Sequence, residues 1–107
     1  MNVADSKNAA SNPEARPEVC VRIPYQLQDL FGAGLLEKVK ASDLREAVEA
    51  LDARFPGIAE RILEEGGGAR RYVNLFVNTR PIQVGEGLGV PLAEGDVLWI
   101  IPHVAGG

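Results

Sequence analysis

The chain has 107 residues, enough for one small domain, and its hydrophobic and charged fractions of 46% and 24% are those of an ordinary soluble protein rather than a disordered one. A formal charge of -4 argues against binding nucleic acid mainly by phosphate neutralisation, and no apolar run approaches the roughly 20 residues of a bilayer span. One cysteine and one histidine exclude an internal disulfide and cysteine or multi-histidine metal sites. These counts predict a cytoplasmic domain without a metal and without a nucleic-acid or membrane partner.

Residues 1–18 form a small, polar leader that we expect to be disordered. Apart from the initiator methionine, its only sizeable apolar residue is Val3. Such a segment cannot bury enough surface to offset the conformational entropy lost on ordering. We therefore predict a disordered leader over residues 1–18, a folded domain over residues 19–101 and a flexible C-terminal tail over residues 102–107.

The folded region carries the alternation of apolar and polar residues that is typical of half-buried strands. Strands are predicted at residues 19–23, 35–40, 72–78 and 97–101, with a short pairing segment at residues 82–84. The remaining apolar periodicity is helical. The order of these elements predicts a mixed sheet with a helix across one face.

The main helix has a recognisable start and end. Asp43 and Glu46 have the spacing of a capping box, and Pro56 with the glycine after it ends the helix. Between them, apolar residues recur at helical spacing: Leu44, Ala47, Val48, Leu51 and Phe55. A further short helical turn is expected after Pro56. The connection between the first two strands, which contains Gly32 and Gly34, is predicted to be a loop.

Three segments in this order carry a family resemblance: RYVNLFVN at residues 71–78, PLAEGD at residues 91–96 and IPHVAGG at residues 101–107. With them, residues 19–107 resemble the ubiquitin-like β-grasp sulfur carriers of the MoaD/ThiS family, most of all the branch that serves thiocarboxylate-dependent cysteine biosynthesis. The resemblance implies an α+β fold of the β-grasp type. Its mixed sheet would have four to five strands, one main helix across one face and a flexible C-terminal Gly-Gly tail.

The resemblance also implies a chemistry, in which the protein is a covalently modified sulfur donor and not an enzyme. The C-terminal carboxylate of Gly107 would be adenylated by an E1-like adenylyltransferase of the MoeB/ThiF type and converted to a thiocarboxylate. A downstream sulfur-accepting synthase would then consume that group. ATP is used by the activating partner, and the carrier itself needs no cofactor. Val104, Ala105 and Gly106 would enter the partner active site with Gly107.

The tail has a physical logic of its own. Residues 102–107 reach about 20 Å when extended, which is enough to enter a buried site while the domain stays outside. Because glycine lacks a Cβ atom, Gly106 and Gly107 can pass through a narrow channel. A terminal glycine pair also arises by chance, so the prediction depends on the tail together with the other two segments.

The strand phases predict a partner-binding patch. If Val73, Leu75 and Val77 and the even-numbered residues of the last strand contact the helix, then three large apolar residues share the opposite face: Phe76, Trp99 and Ile101. The alternative is that Trp99 belongs to the core. Cys20 is interpreted as a structural or spectator cysteine because no histidine or helix N-terminus near it in sequence would activate its thiol.

Three alternatives to the sulfur carrier remain open from the sequence. The chain could be a ubiquitin-like modifier whose activated glycine forms isopeptide bonds with lysines. It could be the small subunit of a molybdopterin synthase, which donates its tail to a larger subunit. The third alternative is a β-grasp adaptor with an inert tail. The pathway that receives the sulfur is not identified by the residues.

Overall fold

The computed structural model of the protein describes residues 13–63, 73–82 and 87–102. After one turn of 3-10 helix at Pro13–Ala15, the elements follow in the order β1 (Glu18–Arg22), α1 (Tyr25–Phe31), β2 (Leu36–Lys40), α2 (Leu44–Arg54), α3 (Ile58–Ile62), β3 (Val73–Val77), β4 (Arg80–Pro81) and β5 (Val97–Pro102). None of the described helices is long and apolar enough to cross a membrane.

The strands form one mixed sheet in the order β2-β1-β5-β3-β4. β5 runs parallel to β1 and antiparallel to β3, while β1 with β2 and β3 with β4 form antiparallel pairs. The last strand of the chain therefore lies in the middle of the sheet. This arrangement confirms the predicted mixed sheet and places the strand that leads into the C-terminal tail between the first and the third strand.

One face of the sheet is packed against the helices. Alternate residues of β1, β3 and β5 are buried there together with the apolar stripe of α2, in a core that includes Val19, Val21, Leu44, Val48, Leu51, Leu75, Leu98 and Ile100. All three helices contribute side chains to this core. The described part of the chain therefore leaves the opposite face of the sheet without a helix, and we call it the open face.

The predicted capping box is present at the start of α2. The Asp43 side chain accepts a hydrogen bond from the Glu46 backbone N–H at 2.9 Å, and the Glu46 carboxylate accepts one from the Ser42 N–H at 2.6 Å. The second bond therefore reaches one residue further back than in the standard box. At the other end the C-cap of α2 is Phe55, and two residues later Gly57, with a φ of 99° that glycine adopts without strain, turns the chain into α3. These two ends fix α2 across the sheet.

The connection between β1 and β2 is a helix, and the prediction of a loop there was wrong. Pro24 is the N-cap of α1 and Gly32, with a φ of 70°, is its C-cap. The Gln28 side chain donates a hydrogen bond to the Ile23 carbonyl at 2.8 Å, and one side of the helix packs against the core. A proline at the start and a glycine after the end are the signals that predict such a helix. Seven residues are too few to show a clear helical periodicity.

The structure also describes the last residues of the predicted leader. The Pro17 carbonyl accepts a hydrogen bond from the Ala41 N–H at 2.9 Å, and Arg16 forms an ion pair with Glu46 at 3.4 Å. β1 begins at Glu18, one residue before the predicted boundary. The contacts are made mainly by backbone and charged groups, which a search for apolar residues does not detect. Residues 1–12 lie outside the described residues.

The short strand in the second half of the domain begins earlier than predicted. β4 comprises Arg80–Pro81, and the Ile82 N–H, at the first residue of the predicted segment, continues the pairing with a bond to the Leu75 carbonyl at 2.8 Å. Residues 83 and 84 lie outside the described residues. The turn before it contains Asn78 with a φ of 57°, a left-handed conformation that asparagine tolerates better than most residues. Because the turn is tight, the chain pairs with β3 from Arg80 onward, two residues before the predicted start at residue 82.

We predict that residues 1–12 do not contribute to the stability of the domain, whereas residues 13–17 do. A chain that begins at residue 13 should unfold at the same temperature as the full chain, because residues 1–12 carry no apolar periodicity. A chain that begins at residue 18 loses the Pro17 bond and the Arg16 pair, which together are worth about 1 kcal/mol. Its midpoint should fall by about 4–8 °C in thermal unfolding followed by circular dichroism. An equal loss on removing residues 1–12 alone would show that they pack against the domain.

Candidate partner-binding face and C-terminal tail

The C-terminal tail starts from the centre of the sheet. β5 ends at Pro102, whose Cα partner in β3 is Val73. The predicted tail residues Val104, Ala105, Gly106 and Gly107 lie outside the described residues: Gly107 is the fifth residue after Pro102, so its carboxylate lies at most about 17 Å from that anchor. A protein that acts on this carboxylate must therefore approach the end of the domain at which β5 ends.

The predicted patch residues share the open face. Phe76 and Trp99 are Cα partners in the β3–β5 pair and both are half-buried, while Ile101, two residues further along β5, is 41% exposed. Leu98 and Ile100, which alternate with Trp99 and Ile101 along β5, are buried against the helices. Trp99 is therefore not a core residue, and the alternative strand phase is wrong.

The structure adds a residue that the sequence analysis did not select. Arg22 is the Cα partner of Trp99 in the parallel β1–β5 pair, and its guanidinium carbon lies 4.6 Å from the centre of the Trp99 ring. A guanidinium at this position over an indole makes a cation–π contact. The alternation in β1 places Arg22 on the face opposite to the buried Val21, but no local pattern of residues indicates that β1 pairs with β5.

One residue from each strand completes a line across the open face. Starting from the β2 edge, consecutive Cα partners join Leu36, Arg22, Trp99, Phe76 and Pro81. We call this line the cross-strand row. Leu36 is 53% exposed although its side chain is large and apolar. The predicted patch thus continues beyond Trp99 to the opposite edge of the sheet.

Cys20 also lies on the open face, in the middle of β1. It is half-buried, and its Cα partners are Lys38 in β2 and Val97 in β5. Its interpretation as a spectator stays a prediction. Among the described residues, no group of three histidine, cysteine, aspartate or glutamate side chains is placed to hold a metal ion.

Two of the segments that carried the family resemblance hold the start of β5. The Asn78 side chain accepts a hydrogen bond from the Val97 N–H and donates one to the Asp96 carboxylate, both at 3.0 Å. The other carboxylate oxygen of Asp96 accepts from the Ala93 N–H at 2.8 Å, and Gly95 takes a φ of 86° in the same turn. These residues fix the strand that carries both Trp99 and the tail.

Comparisons of the sequence and of the fold with known proteins both find similarity to sulfur carriers. The ThiS family profile matches residues 21–107. The sulfur carrier protein CysO of Mycobacterium tuberculosis is 33% identical over 91 residues, which cover 83% of this chain and 98% of that protein. CysO of Amycolatopsis orientalis, in its crystal structure with BexX, superposes with a TM-score of 0.75 at 31% identity, over 83% of this chain and 99% of that one.

A third relative belongs to the modifier proteins. Small archaeal modifier protein 3 of Haloferax volcanii is 32% identical over 62 residues, which cover 58% of this chain and 66% of that protein. The profile match spans most of the chain, and the resemblance to CysO extends over nearly the whole of that protein. The predicted β-grasp fold and family are therefore confirmed. The chain belongs to the ThiS family, within the ThiS/MoaD group of ubiquitin-like sulfur-carrier proteins.

Proposed function

We propose that this protein carries sulfur as a thiocarboxylate on Gly107, formed after an E1-like enzyme has adenylated that residue. The observation that carries the proposal is the Gly-Gly end, which begins four residues after the central strand of a domain closely similar to CysO. The thiocarboxylate would supply sulfur to a downstream synthase, as in the biosynthesis of cysteine or a cofactor. The protein is a substrate in both reactions.

The proposed chemistry has two steps and uses the main-chain carboxylate. A Gly107 carboxylate oxygen attacks the α-phosphorus of ATP, so that an acyl-adenylate forms and pyrophosphate leaves. Hydrosulfide, or the terminal sulfur of a partner persulfide, then attacks the carbonyl carbon and AMP leaves with the electron pair of the broken C–O bond. In the persulfide case the product is an acyl disulfide, and a thiol then attacks the partner's sulfur, so that the S–S bond breaks, the thiocarboxylate leaves and a new disulfide forms. The first step is needed because a free carboxylate has no adequate leaving group. The carrier's contribution is to present the carboxylate in the partner's site.

The position of β5 supports this role. Its pairing with β3 holds Pro102, and its pairing with β1 holds the strand as far as Trp99, so the tail starts from a fixed position. Because reaction rates fall steeply when a reacting group is misplaced, a short tail on a fixed base is better suited to positioning than a long one. Gly106 and Gly107 present no side chain to the walls of a narrow channel.

The open face supports docking of the activating enzyme. Phe76, Trp99 and Ile101 form an apolar patch close to the base of the tail, and aromatic residues of this kind dominate protein–protein binding energies. CysO of Amycolatopsis orientalis has been crystallised in a complex with BexX, so a relative at 31% identity forms a stable complex. We assign the patch here to an adenylyltransferase of the MoeB/ThiF type.

A second candidate function is protein modification. The similarity to Small archaeal modifier protein 3 favours it, because a modifier uses the same activated glycine. In that case the ε-amino group of a target lysine, rather than sulfide, attacks the activated carbonyl and an isopeptide bond forms. Branched peptides carrying the C-terminal residues of this chain would identify this outcome in a digest of total protein.

We predict that Phe76→Asp weakens binding of the activating enzyme by about tenfold or more, since it places a charge in the centre of the patch. Ile101→Asp, at a more exposed position, should act in the same direction with a smaller effect on folding. Ala53→Asp adds the same charge at an exposed position of α2 and serves as the matched control. Isothermal titration measures the affinities, and thermal unfolding verifies that each variant is folded.

Two results would contradict this assignment. Equal affinity of wild type and of both patch variants would move the docking site away from the open face. An equal loss in Ala53→Asp would show that the added negative charge acts through the general field of the protein rather than through the patch.

We predict that adenylation depends on the position of the terminal carboxylate. Deleting Gly107 withdraws the carboxylate by about 3.3 Å, and adding a residue after it moves the carboxylate beyond the reacting position. Both changes should abolish ATP-dependent pyrophosphate release in the presence of the activating enzyme, with the thermal midpoint unchanged. A chain that lacks residues 1–12 is the control and should release pyrophosphate like the wild type. Full activity of the shortened tail would refute the proposed role of Gly107.

A further inference from the structure

We infer that the docking face continues across β1 to β2, and that Arg22 pairs there with a carboxylate of the activating enzyme. The partner surface would accordingly present an acidic side chain beside an apolar pocket. This inference rests on the proposed function, because it takes the enzyme that adenylates Gly107 as the occupant of the face. It adds two residues, Arg22 and Leu36, to the predicted patch. It also states which chemical groups the partner surface presents to them.

The Arg22 side chain is held against its neighbour in β5. It is half-buried and lies over the Trp99 ring at 4.6 Å, so the ring restrains the plane of the guanidinium. Within residues 13–63, 73–82 and 87–102, Arg22 takes part in no ion pair, unlike Arg16 and Arg54. A stacked guanidinium keeps its edge N–H donors for a carboxylate, which it can bind through two parallel bonds. Arg22 is thus oriented for an acidic group that the described part of the chain does not supply.

Arg22 is continuous with the predicted patch. Arg22 lies between Trp99 and Leu36 in the cross-strand row, so no other residue separates it from either. Tryptophan and arginine are the residues most enriched among those that contribute most to binding. The exposed Leu36 extends the apolar surface on the other side of Arg22. A partner that covers Phe76 and Trp99 therefore meets the guanidinium at once.

The part of the open face formed by β1 and β2 is positively charged. The charged residues that β1 and β2 present there are Arg22, Lys38 and Lys40 against Glu18, as the register and the burial of Val39 on the opposite side show. The chain as a whole has a formal charge of -4. A locally basic face on an acidic protein selects an acidic partner surface and increases its rate of association at low salt.

The tail identifies which partner this is. Gly107 lies within about 17 Å of Pro102. Pro102 comes directly after Ile101, which lies on the open face of the same strand. The cross-strand row crosses β5 at Trp99, three residues or about 10 Å before Pro102, so an enzyme that holds the Gly107 carboxylate and contacts the sheet next to the tail lies within reach of the row. A protein that does not bind the tail is not brought to this part of the sheet.

The test compares three variants for binding to the activating enzyme at low and at high ionic strength. Arg22→Gln should weaken binding about tenfold at low salt and make the affinity less sensitive to salt. Arg22→Lys keeps the charge but loses the planar fork, and its affinity should fall between those of the wild type and Arg22→Gln. Arg45→Gln removes the same charge from an exposed position on α2, away from the open face, and should bind like the wild type.

The outcomes separate this inference from the proposed function. If the wild type is adenylated and Phe76→Asp fails to bind, but Arg22→Gln binds within twofold of wild type with an unchanged salt dependence, the inference is overturned and the proposed function stands. If the wild type neither binds nor is adenylated, the proposed function fails. Sedimentation of the wild type as a dimer that Arg22→Gln converts to a monomer would show that a second copy of this chain occupies the face, which also overturns the inference.

Discussion

The pairing of β5 with β1 on one side and β3 on the other is the constraint on which the rest of the structure depends. Because β1 and β5 are parallel, the chain must cross between them, and α2 makes this crossing over the core face. The last strand of the chain is then central rather than peripheral. β1 pairs with β5 from Val97 to Trp99 and β3 pairs with it from Leu98 to Pro102, so β5 is held on both sides in its first half and by β3 at the base of the tail.

The alternation of side chains along β5 then separates two tasks within six residues. Leu98 and Ile100 point into the core and stabilise the domain, while Trp99 and Ile101 point to the open face. Partner binding can therefore change through substitutions on one face with little effect on the packing of the other. The parallel pairing also brings Arg22 beside Trp99. The proposed docking surface is in this sense a consequence of the strand order.

Local patterns accounted for much of this arrangement. Alternation gave the strands at residues 19–23 and 72–78 to within a residue or two, and the Asp43–Glu46 spacing gave the start of α2. These signals involve neighbours in sequence. The same alternation assigned Phe76 and Trp99 to one face, because a strand has only two faces to choose between.

Contacts between residues distant in sequence were not accessible in this way. The Arg22–Trp99 stack depends on a parallel pairing across 77 positions, for which the sequence carries no local signal. α1 was missed because its seven residues show no clear helical period and two glycines, Gly32 and Gly34, follow directly after it. The attachment of Pro17 to β2 uses a backbone carbonyl, which every residue possesses. None of these features produces a periodic pattern of apolar residues, so none could be predicted from such a pattern.

The most direct test of sulfur transfer is the intact mass of the full chain after incubation with its activating enzyme, ATP and sulfide. The account predicts a gain equal to the mass difference between sulfur and oxygen, and fragmentation should locate it on the C-terminal peptide that ends at Gly107. A sulfur atom added to the peptide containing Cys20, or a chain that is adenylated but never acquires sulfur, would contradict the account.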